Sequence, residues 1–170
     1  MELLFSPWRL AYLTGETAQM TDGCLFCGLH RLADAEALIV HRATAVYAVL
    51  NRYPYSSGHL MVTPYAHRAT LSEMTAGERC ELLDVAAIAE RVLGEEYRPH
   101  GFNIGLNLGR SAGAGIPGHA HLHVVPRWDG DTSFMTVTAG TRTLPEDLAV
   151  THARLARGFA RAAARPEGSA

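Results

Sequence analysis

His119-Ala120-His121-Leu122-His123-Val124-Val125 sets three imidazoles two residues apart with apolar side chains between them. Side chains of an extended segment alternate between its faces, so this spacing places the three histidines on one side. Ala120, Leu122 and Val124 then point to the other, which is apolar enough for a core. A single histidine near a strand is ordinarily a surface residue or a satisfied core residue. Three within a few ångströms repel one another when protonated and bring no evident stability, so the pattern points to chemistry. Two chemistries fit it. One is a metal cage of imidazoles. The other is nucleophilic catalysis, because a neutral imidazole with a solution pKa of about 6.5 is a good nucleophile near neutrality and a neighbour can fix which nitrogen holds the proton. Just upstream, Gly109-Arg110-Ser111-Ala112-Gly113-Ala114-Gly115 offers small residues, backbone N–H donors and one arginine, which suit a phosphate cradle. A glycine-rich loop alone is equally consistent with a mobile connection; its adjacency to the histidines favours anion binding.

Working outward, Leu38–Val40, Ala45–Leu50 and His59–Thr63 read as short apolar strands, the last halted by Pro64. Residues 51–58 form a turn-rich link. Phe102, Ile104 and Leu106 alternate with polar or small residues as a strand does, His119–Val125 is a strand ending at Pro126, and Phe134–Thr138 is another. Thr75-Ala76-Gly77-Glu78 has the spacing of a capping box, and Leu82, Val85, Ala86, Ala89, Val92 and Leu93 recur behind it at helical spacing to about Glu96. Thr143-Leu144-Pro145-Glu146 repeats that capping pattern and opens a final helix to about Ala164. Strands that flank two helices rather than alternating with them predict an α+β fold, an antiparallel sheet with two main helices on one face. Residues 1–170 read as one domain. An arm over 1–20 is anchored by Phe5, Pro7, Trp8, Tyr12 and Leu13, and residues 165–170 form a flexible tail.

Composition narrows the function. The 170 residues are 48% apolar and 19% charged with a net charge of −2, which fits a folded domain and gives no basic stripe for a long nucleic acid. The chain has no lysine, so a Walker-type phosphate loop is excluded and any phosphate contact falls to arginine, histidine, hydroxyls or backbone N–H groups. No apolar run approaches a membrane span, and Met1–Leu13 lacks the basic start and apolar core of a signal peptide. Cys24, Cys27 and Cys80 are an odd set with two placed too close for an ordinary bridge, which favours metal or redox use in a reducing compartment. A cytoplasmic location is expected, without membrane or nucleic-acid partners.

The run from His119 through Pro126-Arg127 resembles the signature of the histidine-triad (HIT) superfamily of nucleotide hydrolases and transferases. Asn51-Arg52-Tyr53-Pro54, then Gly58-His59-Leu60-Met61-Val62 and Pro64, are similar to the family's ribose-contact segment and second strand, so the likeness covers about residues 20 to 130. Ser6-Pro7-Trp8-Arg9 and Pro126-Arg127-Trp128 with Asp129-Gly130-Asp131 resemble the bacterial diadenosine tetraphosphate phosphorylase branch. The resemblance implies a nucleotide transferase or hydrolase that acts on the α-phosphate of dinucleoside polyphosphates. His121 would attack phosphorus in line to form a nucleotidyl-histidine, and phosphate or water would release the nucleotide. His123 would orient His121 or donate to phosphate. Asn51 matches the ribose contact, Asn107 faces substrate, and Ser111 with the backbone of Gly113 to Gly115 would hold phosphates. Many relatives carry glutamine four residues before the first triad histidine. Here Gly115 stands there and Gln19 is the chain's only glutamine, which favours inorganic phosphate as acceptor. Alternatives within the same reading are a water-using hydrolase of phosphoramidates or adenylylated compounds, and a non-catalytic nucleotide-binding protein. Family members generally pair as homodimers through a shared sheet, and a tetramer is also compatible.

Cys24 and Cys27 by themselves form half of a tetrahedral metal site, or a redox pair. The resemblance supplies the other half as His67 and His119, making a structural zinc site and removing His119 from direct catalysis; no organic cofactor is expected. His59 is placed to support the triad from the neighbouring strand. His30, His41, His100 and His152 read as ordinary polar residues, and Cys80 as buried packing. Trp128, like Trp8, reads equally as core or as an aromatic face for a base or a dimer seam.

Overall fold

The computed structural model describes residues 23–131 and 146–164. The expected arm, the strand at 134–138, the cap residue Thr143 and the tail at 165–170 lie outside those residues. In chain order come α1 (Leu25–Leu29), α2 (Asp34–Ala37), β1 (Ile39–Arg42), β2 (Val46–Leu50), β3 (Leu60–Pro64), α3 (Ala76–Tyr97), β4 (Gly101–Leu106), a 3-10 turn (Arg110–Ala112), β5 (Leu122–Arg127) and α4 (Leu148–Ala163). The five strands form one antiparallel sheet in the order β1-β2-β3-β5-β4. The expected α+β architecture is therefore present.

Strand alternation divides the sheet into two different faces. Val46, Ala48, Leu50, Leu60, Val62, Ala120, Leu122 and Val124 pack against Leu82, Val85, Ala86, Ala89, Val92 and Leu93 of α3 and Leu155 and Phe159 of α4. On the opposite face Tyr47, Val49 and Met61 pack with Phe26 of α1, Ala37 of α2 and Ile39 of β1. The two long helices thus share one face, as expected, while the short α1 covers part of the other. Every residue of β2 and β3 is buried because both faces are covered. That sandwich explains their nearly uninterrupted apolar sequences.

Four local readings change. β5 begins at Leu122 rather than His119, because the Ala120 N–H goes to the Arg68 carbonyl (2.6 Å) and its carbonyl takes the Thr63 hydroxyl (3.0 Å) instead of joining the ladder. Side-chain alternation nonetheless continues through that segment. Pro64 and Pro126 lie inside strands, paired with Val46 and Phe102, near strand ends where a missing N–H removes little. The Thr75–Glu78 capping box is present, but the final helix is capped by Asp147, which accepts from the Ala149 N–H (2.8 Å). Glu146 is drawn off by α3 and α4: it receives the Tyr97 hydroxyl and the Thr151 hydroxyl and pairs with Arg154. Cys80 is exposed rather than buried, since a position two before Leu82 is about 200° round the helix from that buried face.

Gly58 is the tightest point behind the site. Its φ is +81°, and a Cβ there would lie 2.8 Å from Leu93 Cδ2 on α3. Gly58→Ala is expected to cost about 2–4 kcal/mol, the sum of left-handed strain and overpacking. Urea unfolding of both proteins measures the loss, and an unchanged midpoint would contradict this account.

Candidate functional site

The histidine face is assembled by register. His123 lies opposite Met61 of β3 and Gly105 of β4. Gly105 projects no side chain, so the sheet is open beside His123. The ladder ends at the Leu106–Leu122 pair, so Asn107 directly follows β4 and His121 directly precedes β5. On the other flank Asn51 follows β2 and pairs its N–H with the His59 carbonyl (3.0 Å).

Hydrogen bonds assign the protons on this row of imidazoles. His121 Nδ1 lies 2.8 Å from the His119 carbonyl, which can only accept, so Nδ1 carries the hydrogen and Nε2 carries a lone pair. His119 Nε2 lies 2.9 Å from the Pro64 carbonyl, so its Nδ1 bears the lone pair. The Tyr55 N–H donates to His59 Nδ1 (3.1 Å); His59 Nε2 therefore donates to His123 Nδ1 (2.9 Å). That directs the proton of neutral His123 to Nε2. The row thus alternates roles: His121 offers a base or nucleophile, and His123 a donor. Their rings are 5.0 Å apart and near perpendicular.

Burial disfavours the charged forms of His119, His121 and His59. Desolvation lowers the pKa of His121 and of His119, partly offset in each by a hydrogen bond to a backbone carbonyl. His59 is pushed down to about 3, first by burial and then by the His123 and His121 charges. A folded value below the unfolded one of about 6.5 means that its stability contribution is complete above pH 6.5 and is lost as pH falls toward 3. Between pH 7 and pH 5 His59 should cost the protein about 2 kcal/mol, at about 1.4 kcal/mol per unit below 6.5. Denaturant midpoints at the two pH values test this; equal stabilities would show that His59 protonates freely in the fold.

The second cluster lies at the other end of the triad. Cys24 Sγ is 3.2 Å and Cys27 Sγ 3.6 Å from His119 Nδ1, and Cys27 Sγ is 3.4 Å from His67 Nδ1. All four donor atoms fall within 4.8 Å of one another, so Cys24, Cys27, His67 and His119 could hold a metal ion. The lone pair of His119 faces the thiols while its other nitrogen is tied to Pro64, the arrangement by which a backbone carbonyl orients a metal-binding imidazole.

The remaining sequence candidates are more dispersed. Asn51 Oδ1 takes the Tyr53 N–H (2.9 Å), which orients its amide group. Ser111, Gly113 and Gly115 lie in an exposed loop. Gly113, at φ +84°, donates its N–H to Arg110 (3.0 Å), and the Ala114 N–H goes to Gly109 (3.3 Å), so these two donors close the loop on itself. Trp128 is half-buried in the turn after β5, hydrogen-bonded through its backbone to Asp131. Seven residues of extended chain put it roughly 20 Å from His121. His41 stacks on Phe159 (5.1 Å) and His152 bonds the Ile39 carbonyl (2.8 Å), so both join α4 to β1. Sequence reasoning passed over Phe26, whose ring touches both His119 (5.3 Å) and His121 (4.9 Å). Its position between the two cysteines was the available signal.

The HIT domain family matches residues 33–130, and the chain belongs to that family. It is 42% identical over 167 residues, 95% of this chain and 86% of the other, to the AP-4-A phosphorylase of Mycobacterium tuberculosis. Among solved structures, a zinc-bound histidine triad family protein from Mycobacterium smegmatis superposes with a TM-score of 0.68 at 27% identity, over 84% of this chain and 96% of that one. A hypothetical histidine triad nucleotide-binding protein from Sulfolobus tokodaii gives 0.65 at 25% identity, over 81% and 93%. No helix among the described residues is long and apolar enough to cross a membrane.

Proposed function

We propose that this chain is a nucleotide transferase that splits dinucleoside polyphosphates such as diadenosine tetraphosphate, using inorganic phosphate as acceptor and a nucleotidyl-histidine on His121. The observation that carries the reading is the bond from His121 Nδ1 to the His119 carbonyl, which commits Nε2 to the role of nucleophile. The 42% identity to an AP-4-A phosphorylase supports the substrate class.

The reaction follows from the proton assignments. His121 Nε2 attacks the α-phosphorus in line; a P–N bond forms and the bond to the bridging oxygen breaks, releasing the remaining nucleotide. Phosphate then attacks the same phosphorus, the P–N bond breaks, and the lone pair returns to Nε2. Through both steps His123 Nε2–H donates to a phosphate oxygen and offsets the charge that builds there. His59 holds His123 in that tautomer. Asn51 would contact the ribose, Asn107 would lie beside the reacting phosphate, and Ser111 with the Gly113–Gly115 loop would hold the remaining phosphates. Trp128 offers a face on which a base can stack.

Cys24, Cys27, His67 and His119 fit zinc. Two thiolates and two imidazoles are its usual structural set, and ligand atoms at about 2.3 and 2.0 Å around a tetrahedral ion stand about 3.5 Å apart, close to the separations found. Filled by four protein ligands, such an ion supplies no open position for chemistry and acts as a cross-link. The reduced thiols it requires support a cytoplasmic location. Protomers would pair through β4, the sheet-edge strand on which Ile104 is 44% exposed, and light scattering separates a homodimer from a tetramer.

Turnover of diadenosine tetraphosphate with and without inorganic phosphate, products resolved chromatographically, tests the reading. ADP plus ATP formed only with phosphate is expected. AMP released without phosphate would instead establish a hydrolase, and no turnover a binding protein.

A further inference from the structure

The knuckle between the two cysteines does more than supply thiols. Phe26 is 1% exposed, and its ring stands 4.9 Å from that of His121 and 5.3 Å from that of His119. Its own carbonyl is held by the Tyr47 hydroxyl at 2.7 Å, and Tyr47 is itself fully buried on β2. The backbone of Phe26 is therefore tied to the sheet, and its ring is packed among Ile39, Tyr47, Val49 and Met61. His121 lies ahead of β5, outside the ladder that would otherwise define its backbone. Its ring is held by one hydrogen bond to the carbonyl two residues back and by the near-perpendicular His123 ring at 5.0 Å, which leaves its opposite flank to be fixed by packing. A rigid aromatic surface supplies that packing.

We infer that Phe26 is a positioning residue for the nucleophile: it wedges the His121 ring so that Nδ1 meets the His119 carbonyl and Nε2 meets the incoming phosphorus. The inference rests on His121 being the attacking group. Because the same ring also abuts His119, the knuckle carries two separable functions, ligation through sulfur and alignment through the phenyl group. Alignment acts on the chemical step, since an in-line attack tolerates little angular error, while substrate affinity comes from contacts elsewhere.

Phe26→Leu keeps the site apolar but removes the flat surface, and Phe26→Met keeps more volume without it. For both, the zinc-loaded protein is read three ways: zinc per chain, ¹⁵N chemical shifts of the His121 ring nitrogens without substrate at pH 7.5, and steady-state kinetics. The expected result is zinc retained at one per chain, His121 nitrogens moving from a single Nδ1–H tautomer toward a mixture, and kcat lower by about 10- to 100-fold with KM within threefold. Unaltered ring shifts and kcat in both variants would overturn the assignment. So would loss of zinc in step with activity, because the knuckle would then act through metal alone. The ring shifts are measured without turnover, so a wild-type protein that does not split diadenosine tetraphosphate would defeat the functional reading while leaving the alignment result intact.

Discussion

His121→Ala is expected to lower turnover of diadenosine tetraphosphate by about 10⁴-fold or more, while leaving nucleotide binding within a few-fold of the parent. The reason lies in what the substitution removes. His121 Nε2 is the lone pair that the His119 carbonyl keeps unprotonated, and His123, with its proton on Nε2, cannot substitute for it without a change of tautomer that His59 opposes. The ribose and phosphate contacts proposed for Asn51, Asn107 and the glycine loop are untouched, so affinity should survive. Acid-quenched protein incubated with α-³²P-labelled substrate reports the intermediate directly. Label should remain with the parent chain and be absent from His121→Ala. Equal labelling of the two proteins would move the nucleophile elsewhere.

Removal of the proposed zinc ion should produce the other large effect. Cys27→Ser, or chelation of the parent protein, is expected to lower Tm by about 10–15 °C, equivalent to about 3–5 kcal/mol for a chain of this size. The loss should fall well short of that in an isolated zinc-finger peptide, because this sheet has hydrophobic clusters on both faces that do not depend on the ion. It should still be substantial, since His119 is fully buried and without the ion its Nδ1 keeps only thiol neighbours, Cys24 Sγ at 3.2 Å being the nearer and a weak donor. Calorimetry with and without a chelator, beside metal analysis, measures it. An identical Tm in metal-free protein would mean that the four donors are held together by packing alone.

Both effects rest on residues that were visible in the linear chain, for a physical reason. Period-two histidines and a C-x₂-C pair are dense local signals, because the chemistry needs particular side chains at particular spacings. The buried faces of β2, β3 and α3 were legible in the same way, since apolar periodicity is a direct record of which side meets the core. Ends of elements were less so. Thr75 and Thr143 head similar four-residue patterns, yet the first caps α3, whereas α4 starts from Asp147 because Glu146 is engaged by Tyr97, Thr151 and Arg154. Cys80 looked like core by residue type and is exposed by helical phase.

By itself, then, the amino-acid order determined the α+β class, the row of three histidines, the C-x₂-C pair and the helix-facing half of the core, since each depends on spacing within a few residues. Tertiary structure alone decided which nitrogen of His119 and of His123 holds a proton, because those assignments come from the Pro64 carbonyl and, through His59, from the Tyr55 N–H, brought to the triad by β3 and by the link before it. It also decided that Phe26 stands against His121, a contact between residues 95 positions apart that only closure of the knuckle onto the sheet could create.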